Sequence, residues 1–458
     1  MTTLDAWIDA HRDAHLDELK ALLSIPSVST AVEHAGDVKH AAGWVRDRLA
    51  EAGLEARVYE TEGHPIVYGE WLGAEGAPTV LIYGHYDVQP ADPLELWRNP
   101  PFEPTIESTP TGDILVARGA TDDKGQFYCH VKGIQAHMAT HGALPVNVKV
   151  LIEGEEEVGS DNLEPFLREH AEMLSCDAVV VSDTPMHGKG LPSITYGLRG
   201  MAALEVTVTG PSHDLHSGLY GGGVRNPLNA LAAMIGSLHD DEGRITIDGF
   251  YDDVEPLSDD ERAAFVALNH DEDAFRAEVG VADSPGEAGY TVYECITSRP
   301  TLDVNGMWGG YIQPGFKTVL PSKAHAKISC RLVPHQDPDT IAKKVAAALE
   351  AAAPTGVTVE VTLHHGASAV IADRTGFAVQ AAMRAQSRVW GVDCVFTRGG
   401  GSIPVVASFK NILDADTVLM GLGNEDDRLH SPNEKFGVEN YFNGIKSTAY
   451  LLEELAAR

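Results

Sequence analysis

The sequence predicts an α/β fold: a central mixed, mostly parallel sheet covered by helices, interrupted by an inserted α+β domain with an antiparallel sheet. Three observations carry this reading. Four short runs, Thr79–Tyr83 (TVLIY), Val146–Ile152 (VNVKVLI), Ala178–Ser182 (AVVVS) and Thr417–Gly421 (TVLMG), are dominated by apolar residues. Strands without a polar face are buried on both sides, which places helices above and below the sheet. In the middle of the chain the pattern turns to alternation, and 458 residues exceed one average domain.

In chain order, the apolar residues Trp7, Ile8, Leu19, Leu22 and Leu23 predict an amphipathic opening helix ending at Ile25–Pro26. A second helix spans Val38–Ala52 and stops at Gly53, and helical stretches at Gly125–His141 and Asn162–Glu172 separate the buried strands. Ala202–Thr209 (AALEVTVT), Ala324–Val333 and Val357–Leu363 alternate, as half-exposed antiparallel strands do, with helices at Pro227–Leu238 and Asp339–Ala352. The boundaries of the insertion fall near Gly200 and Ala378, which leaves residues 1–199 and 379–458 as one discontinuous domain around the inserted residues 200–378.

Acidic residues number 67 against 34 basic ones, a formal charge of -33. Phosphate backbones and anionic lipid would repel such a chain, so neither nucleic acid nor a membrane is an expected partner. The five cysteines are spread out and form no C-x-x-C pair, which argues against a disulfide framework and for a reducing compartment. The opening residues lack the basic start and unbroken apolar stretch of a signal peptide, and no window approaches the roughly 18 apolar residues of a spanning helix. The expected location is cytoplasmic.

The informative signal is where acids and histidines fall. His85 follows the first apolar run, in Gly84-His-Tyr-Asp-Val-Gln-Pro90, and ligands of open α/β sheets bind beyond the carboxyl ends of strands. Asp87, two residues on, is placed to hold one imidazole nitrogen and turn the other toward a metal. In Gly119-Ala-Thr-Asp-Asp-Lys-Gly125 the two aspartates suit an Asx turn or a helix cap as well as ligation. Glu153-Gly-Glu-Glu-Glu157 abuts a buried strand, where clustered negative charge is unfavourable unless a cation neutralises it. Asp183 follows the third run, and His430 lies a few residues beyond the fourth. The set His85, Asp122, Glu157, Asp183 and His430 has the mixed nitrogen and oxygen character that suits zinc, and also manganese or cobalt. Five such ligands, one of them shared, suit a pair of divalent ions roughly 3.5–4 Å apart.

With these segments together the chain resembles, over nearly its whole length, the M20 family of co-catalytic metallopeptidases, and within it the cytosolic non-specific dipeptidase and carnosinase branch. Beside the motifs already quoted, the resemblance rests on Glu156-Glu-Val-Gly-Ser160, Asp214-Leu-His-Ser-Gly218, Gly306-Met-Trp-Gly-Gly310, Lys317-Thr-Val-Leu-Pro321, Arg331-Leu-Val-Pro334 and Gly400-Gly-Ser-Ile-Pro404. It implies a zinc-peptidase-like catalytic domain and an inserted lid and dimerisation domain. It also implies two divalent ions per subunit, with His85 and Asp183 on one, Glu157 and His430 on the other, and Asp122 bridging ahead of a cis peptide. Asp87 joins Glu156 among the catalytic residues; Glu156 is the general base that deprotonates the attacking water and then protonates the leaving amine. His216 reaches the site of the partner in a homodimer and stabilises the oxyanion, with His213 as its near neighbour. Arg331 clamps the substrate carboxylate, a task suited to guanidinium, and Thr318, His365 and Ser402 add substrate contacts. The expected reaction is hydrolysis of dipeptides or short peptides; the alternatives are deacylation of N-acyl amino acids and, from another class, a non-catalytic metal- or peptide-binding protein, against which the intact Glu156 argues. One departure matters: where the branch carries Arg-Glu-Gly-Gly-Ser, this chain reads Arg398-Gly-Gly-Gly-Ser402, so the acid that the resemblance assigns to the substrate amino group is Gly399.

Overall fold

The computed structural model describes residues 3–364 and 366–457. They gather into two compact units, one of Met1–Tyr196, Ala372–Thr397 and Ser408–Arg458, the other of Gly197–Ile371 and Arg398–Ala407. Among the described residues no helix is long and apolar enough to cross a membrane.

The first unit is built on a mixed sheet. Its four central strands, in the order Asn147–Glu153, Thr79–His85, Ala178–Val181 and Asp416–Met420, run parallel. They correspond to the four apolar runs, displaced by a residue or two. Ile66–Trp71 and then Glu55–Tyr59 extend the sheet antiparallel beyond Asn147–Glu153, and Ser193–Leu198 pairs antiparallel with the Asp416–Met420 strand. The parallel register sets Tyr83 against both Leu151 and Val181, so the carboxyl ends of neighbouring strands lie at one edge.

The Lys124–His141 helix is buried at every position from Lys124 to Ile134, because it lies against the sheet on one side and the Val438–Ala456 helix on the other. Phe127, Tyr128, Ile134, Tyr441, Phe442 and Ile445 fill that layer, each contributing about 1.5–3 kcal/mol by leaving water. The expected single opening helix is two, Leu4–Ala10 and Arg12–Leu23. His11 breaks it: its N–H bonds to Ile8 O, three residues back, which tightens the turn and redirects the axis.

The second unit holds a four-stranded antiparallel sheet, ordered Thr301–Gly309, Lys323–Leu332, Gly200–Thr209 and Thr358–Leu363. The alternation in sequence is alternation of burial: along Gly200–Thr209 every second residue is buried. The Pro227–Gly236 and Pro338–Ala351 helices cover the apolar face; each starts with proline in its first turn and is capped by Asn226 or Asp337. Three further helices, Asp259–Ala267, Glu272–Val279 and Val292–Ser298, occupy a stretch in which the sequence pattern marked none.

Candidate active site

His85, Glu156, Glu157 and Asp183 reach the site because a buried strand ends at or shortly before each, whereas Asp122 and His430 come from longer turns. The Thr79–His85 strand delivers His85, which is fully buried. Gly84 is required there: a Cβ would sit 2.5 Å from Phe127 Cβ and 2.7 Å from Asp123 Oδ2. The Asn147–Glu153 strand runs into the Glu156–Val158 turn, and Ala178–Val181 delivers Asp183 two residues on. Asp122 lies in the turn after Gly112–Val116, ahead of a cis Asp122–Asp123 peptide, and His430 lies beyond the Asp416–Met420 strand.

The five candidate ligands come together as two overlapping groups. His85, Asp122 and Asp183 offer ligand atoms within 4.8 Å of one another, and so do Asp122, Glu157 and His430. Asp122 is common to both: its Oδ1 lies 3.2 Å from His85 Nε2 and its Oδ2 2.9 Å from His430 Nε2. His430 Nε2 is also 3.4 Å from Glu157 Oε2. His85 Nε2 is buried without a hydrogen-bond partner among the described residues, although it faces the Asp122 carboxylate. A buried, unpartnered imidazole nitrogen amid carboxylates fits a cation better than it fits an apolar interior.

The orienting contacts differ in detail from expectation. His85 Nδ1 is 3.1 Å from the Asp87 carbonyl and 3.4 Å from its carboxylate Oδ1. The Asp87 carboxylate chiefly accepts from the backbone N–H groups of Glu156 (3.3 Å) and Glu157 (3.1 Å), so one buried residue orients both His85 and the acidic turn. Asp123 begins the Lys124–His141 helix without a side-chain cap; its Oδ2 accepts from His85 N at 3.2 Å instead. Gln89 Nε2 donates to Glu157 Oε2 at 2.8 Å.

The acidic run is not a solvated face: Glu153 and Glu155 are buried. Burial, then the nearby Glu157, Asp122 and Asp87 charges, push the Glu156 carboxyl up to about 7 against the opposing pull of His85. Burial, with Asp122 next, raises Asp183 well above the carboxylate range. Burial would raise Asp122 too, but the His430 and His85 rings that face its two oxygens outweigh it and hold that carboxyl low. Among the described residues no hydrogen bond or ion pair engages the Glu156 carboxylate.

The remaining predicted residues lie in the second unit. Arg331 Nη1 donates to Ser402 Oγ at 3.0 Å, and Ser402 Oγ donates to Arg199 O at 2.5 Å. His216 pairs with Val319 across a two-stranded ladder, and just beyond it Ser217 N donates to Thr318 O at 2.9 Å. His216 is exposed, and its Nδ1 accepts from Gly218 N. His213 bonds instead to its neighbour Ser212. His365 lies outside the described residues. Beside Gly399, Arg398 pairs with Glu261 at 2.5 Å. Sequence reasoning missed Gln89, Asp123, Arg118 and Glu434 as partners of the site; the signal that finds such residues is that a buried charge must meet a compensating group.

An open α/β sheet whose strand ends gather histidines and carboxylates around a free glutamate defines a metal-dependent hydrolase. Residues 81–454 match Peptidase family M20/M25/M40, and the chain belongs to that family and is a metallopeptidase. It is 34% identical to a Cys-Gly metallodipeptidase of Schizosaccharomyces pombe, covering 98% of this chain and 97% of that one. It is 32% identical to the human Beta-Ala-His dipeptidase, over 98% of this chain and 92% of the relative. A solved M20 family metallo-carboxypeptidase of Sulfolobus solfataricus superposes with a TM-score of 0.86 at 32% identity, covering 97% of this chain and 99% of that one.

Proposed function

We propose that this protein hydrolyses dipeptides and short peptides at a centre of two divalent ions, zinc first and manganese or cobalt as alternatives, and works as a homodimer in the cytoplasm. The observation that carries the reading is the pairing of Glu156 with Glu157 on one turn: Glu157 faces His430 and Asp122, whereas no hydrogen bond or ion pair engages the Glu156 carboxylate among the described residues. His85 and Asp183 would hold one ion, Glu157 and His430 the other, and Asp122 both. When bound, the ions lower the pKa of a water and polarise a carbonyl. Glu156 takes the proton of the attacking water and delivers it to the amine that leaves. Asp87 fixes the turn that carries Glu156 through its two backbone hydrogen bonds. Arg331 and Ser402, already joined to each other, bind the substrate carboxylate, with Thr318 and His365 as further contacts. His216 of the partner subunit donates to the scissile carbonyl oxygen. Deacylation of N-acyl amino acids is not favoured, because relatives matched over the whole chain are dipeptidases.

Elemental analysis followed by a panel of dipeptides, tripeptides and N-acetyl amino acids tests the reading. Two ions per subunit and preference for dipeptides are expected; full activity with one ion, or preference for N-acetyl substrates, refutes it. Glu156→Gln should bind metal normally and lose about 100- to 10,000-fold in turnover. Mixing inactive His216→Ala and Glu156→Gln subunits should restore activity, since one site of each hybrid is intact; no recovery after verified exchange refutes the shared site.

A further inference from the structure

The turn that carries Asp122 and the loop that carries His430 are tied together by a carboxylate that has no part in the steps above. Glu434 is fully buried. Its Oε2 accepts from Arg118 Nη1 at 2.7 Å and from Gly119 N at 2.9 Å. Its Oε1 accepts from the backbone N–H groups of Thr121 at 3.0 Å and Asp122 at 3.1 Å. A second buried acid, Asp427, holds the same turn from the other side: its Oδ2 lies 3.1 Å from Thr121 Oγ1, and its Oδ1 faces Lys435 Nζ at 3.2 Å. Thr121 Oγ1 also donates to Lys435 O at 2.6 Å.

We propose that Glu434 is a positioning residue that sets the Asp122 carboxylate in place before any ion arrives, with Arg118 as its counter-charge. This rests on reading the centre as a metal site. Four donors converge on two oxygens, and two of them are the successive peptide N–H groups of Thr121 and Asp122, so the backbone that aims Asp122 cannot rotate without breaking bonds to a charged group. Glu434 lies four residues after His430 on the same loop. One side chain thus fixes the ligand common to both groups and the loop that supplies its partner. Arg118, itself buried, is what permits a further negative charge beside so many carboxylates: besides Glu434 it donates to Pro90 O at 3.1 Å, and its guanidinium lies over the Trp97 ring. A glutamine in place of Glu434 keeps one acceptor oxygen but turns an amide N–H₂ toward two of the four donors, so half the clamp becomes repulsive.

The test is Glu434→Gln and, separately, Glu434→Asp in the full-length protein, each freed of metal, checked by circular dichroism and titrated beside wild type. Calorimetry with Zn²⁺ gives affinity, and the visible absorption of Co²⁺ reports ligand geometry. Folded Glu434→Gln should bind both ions about 10- to 100-fold more weakly, with an altered Co²⁺ band. A folded variant with wild-type affinity and a wild-type band, even with a lowered melting temperature, overturns the proposal, because a merely structural role moves only the melting temperature. If Glu434→Gln does not fold, Glu434→Asp decides, since it keeps the charge facing Arg118 and draws the carboxylate back from the Thr121 and Asp122 N–H groups: weaker binding with a shifted band supports the proposal, and wild-type binding overturns it. Wild type that binds no ion refutes instead the reading of the centre on which the proposal rests.

Discussion

Replacing Gly84 by alanine tests how tightly the strand that bears His85 is fitted to the helix behind it. The new methyl would lie 2.5 Å from Phe127 Cβ and 2.7 Å from Asp123 Oδ2, where real Cβ contacts are essentially never under 3.0 Å. Strand and helix must part by about 1 Å to reach ordinary contact. Overpacking of that kind costs about 1–3 kcal/mol. The parting also stretches the hydrogen bond from His85 N to Asp123 Oδ2, now 3.2 Å and already at the long end; a buried acceptor left unpaired costs about 1–3 kcal/mol more. The gain from removing a glycine from the unfolded chain, about 0.4–1 kcal/mol, offsets little. The expected loss is therefore roughly 1–5.5 kcal/mol, read as a lowered urea midpoint of the metal-free protein, together with weaker metal binding because His85 moves. Gly43→Ala is the control: it lies inside the Ala35–Glu51 helix with nothing within 4 Å of its Cβ, and should stabilise by about 0.5–1 kcal/mol. Gly84→Ala within about 0.5 kcal/mol of wild type and with normal metal affinity would refute the close-approach argument.

Asp122→Ala should lose both ions by elemental analysis and all measurable turnover, since this carboxylate belongs to both ligand groups. Tyr83→Phe removes the hydroxyl that donates to the buried Glu153 at 2.6 Å, leaving Ser160 Oγ at 2.9 Å to serve that carboxylate; a loss of about 1–3 kcal/mol is expected in denaturant titration. His130 is buried between Ser182 and Thr448, and burial pushes its pKa down to about 3 from 6.5. Below pH 6.5 the unfolded chain takes up a proton that the folded one refuses, so this contribution is full above 6.5 and falls by up to about 1.4 kcal/mol per pH unit down toward 3. His130→Gln should flatten the acid limb of the stability–pH curve by that slope; an unchanged limb would count against a neutral buried imidazole.

The four central strands were readable because burial on both faces leaves no room for polar residues, so their ends were readable too. An acid or histidine just beyond such an end stands out, which is why His85, the Glu153–Glu157 run and Asp183 drew attention from spacing, while the choice of Glu157 within that run and the role of the more distant His430 came from the family resemblance. Asp123 could not: a second aspartate before a helix looks like a cap, and only the packed structure shows it accepting from His85 N. Glu434 and Arg118 were hidden for a related reason. Charged residues in loops are usually solvated, and nothing in Asn433-Glu-Lys435 tells that the middle residue is enclosed by four donors brought in from more than 300 positions away. The Asp259–Ala267 and Glu272–Val279 helices were missed because their exposed, acid-rich faces bury few residues, and Val292–Ser298 because what it buries, Tyr293, Glu294, Thr297 and Ser298, is mostly polar, so no clear apolar stripe marks any of them. The break at His11 is likewise a matter of one backbone hydrogen bond rather than of residue type.

Synthesis order gives the centre an awkward history. Four of its candidate ligands are complete by Asp183, but the fifth, His430, is made about 250 residues later, after the whole of the Gly197–Ile371 segment. At 5–20 residues per second the wait is on the order of 10–50 s. During it the Asp416–Met420 strand does not yet exist, so the Ala178–Val181 strand has a bare edge and a cluster of carboxylates has neither His430 nor the Glu434 tether. A ribosome-bound chain is thus at its most vulnerable to proteolysis and to mismatched pairing while the second unit is being made, and a chain interrupted there would carry most of a metal centre with no means of closing it.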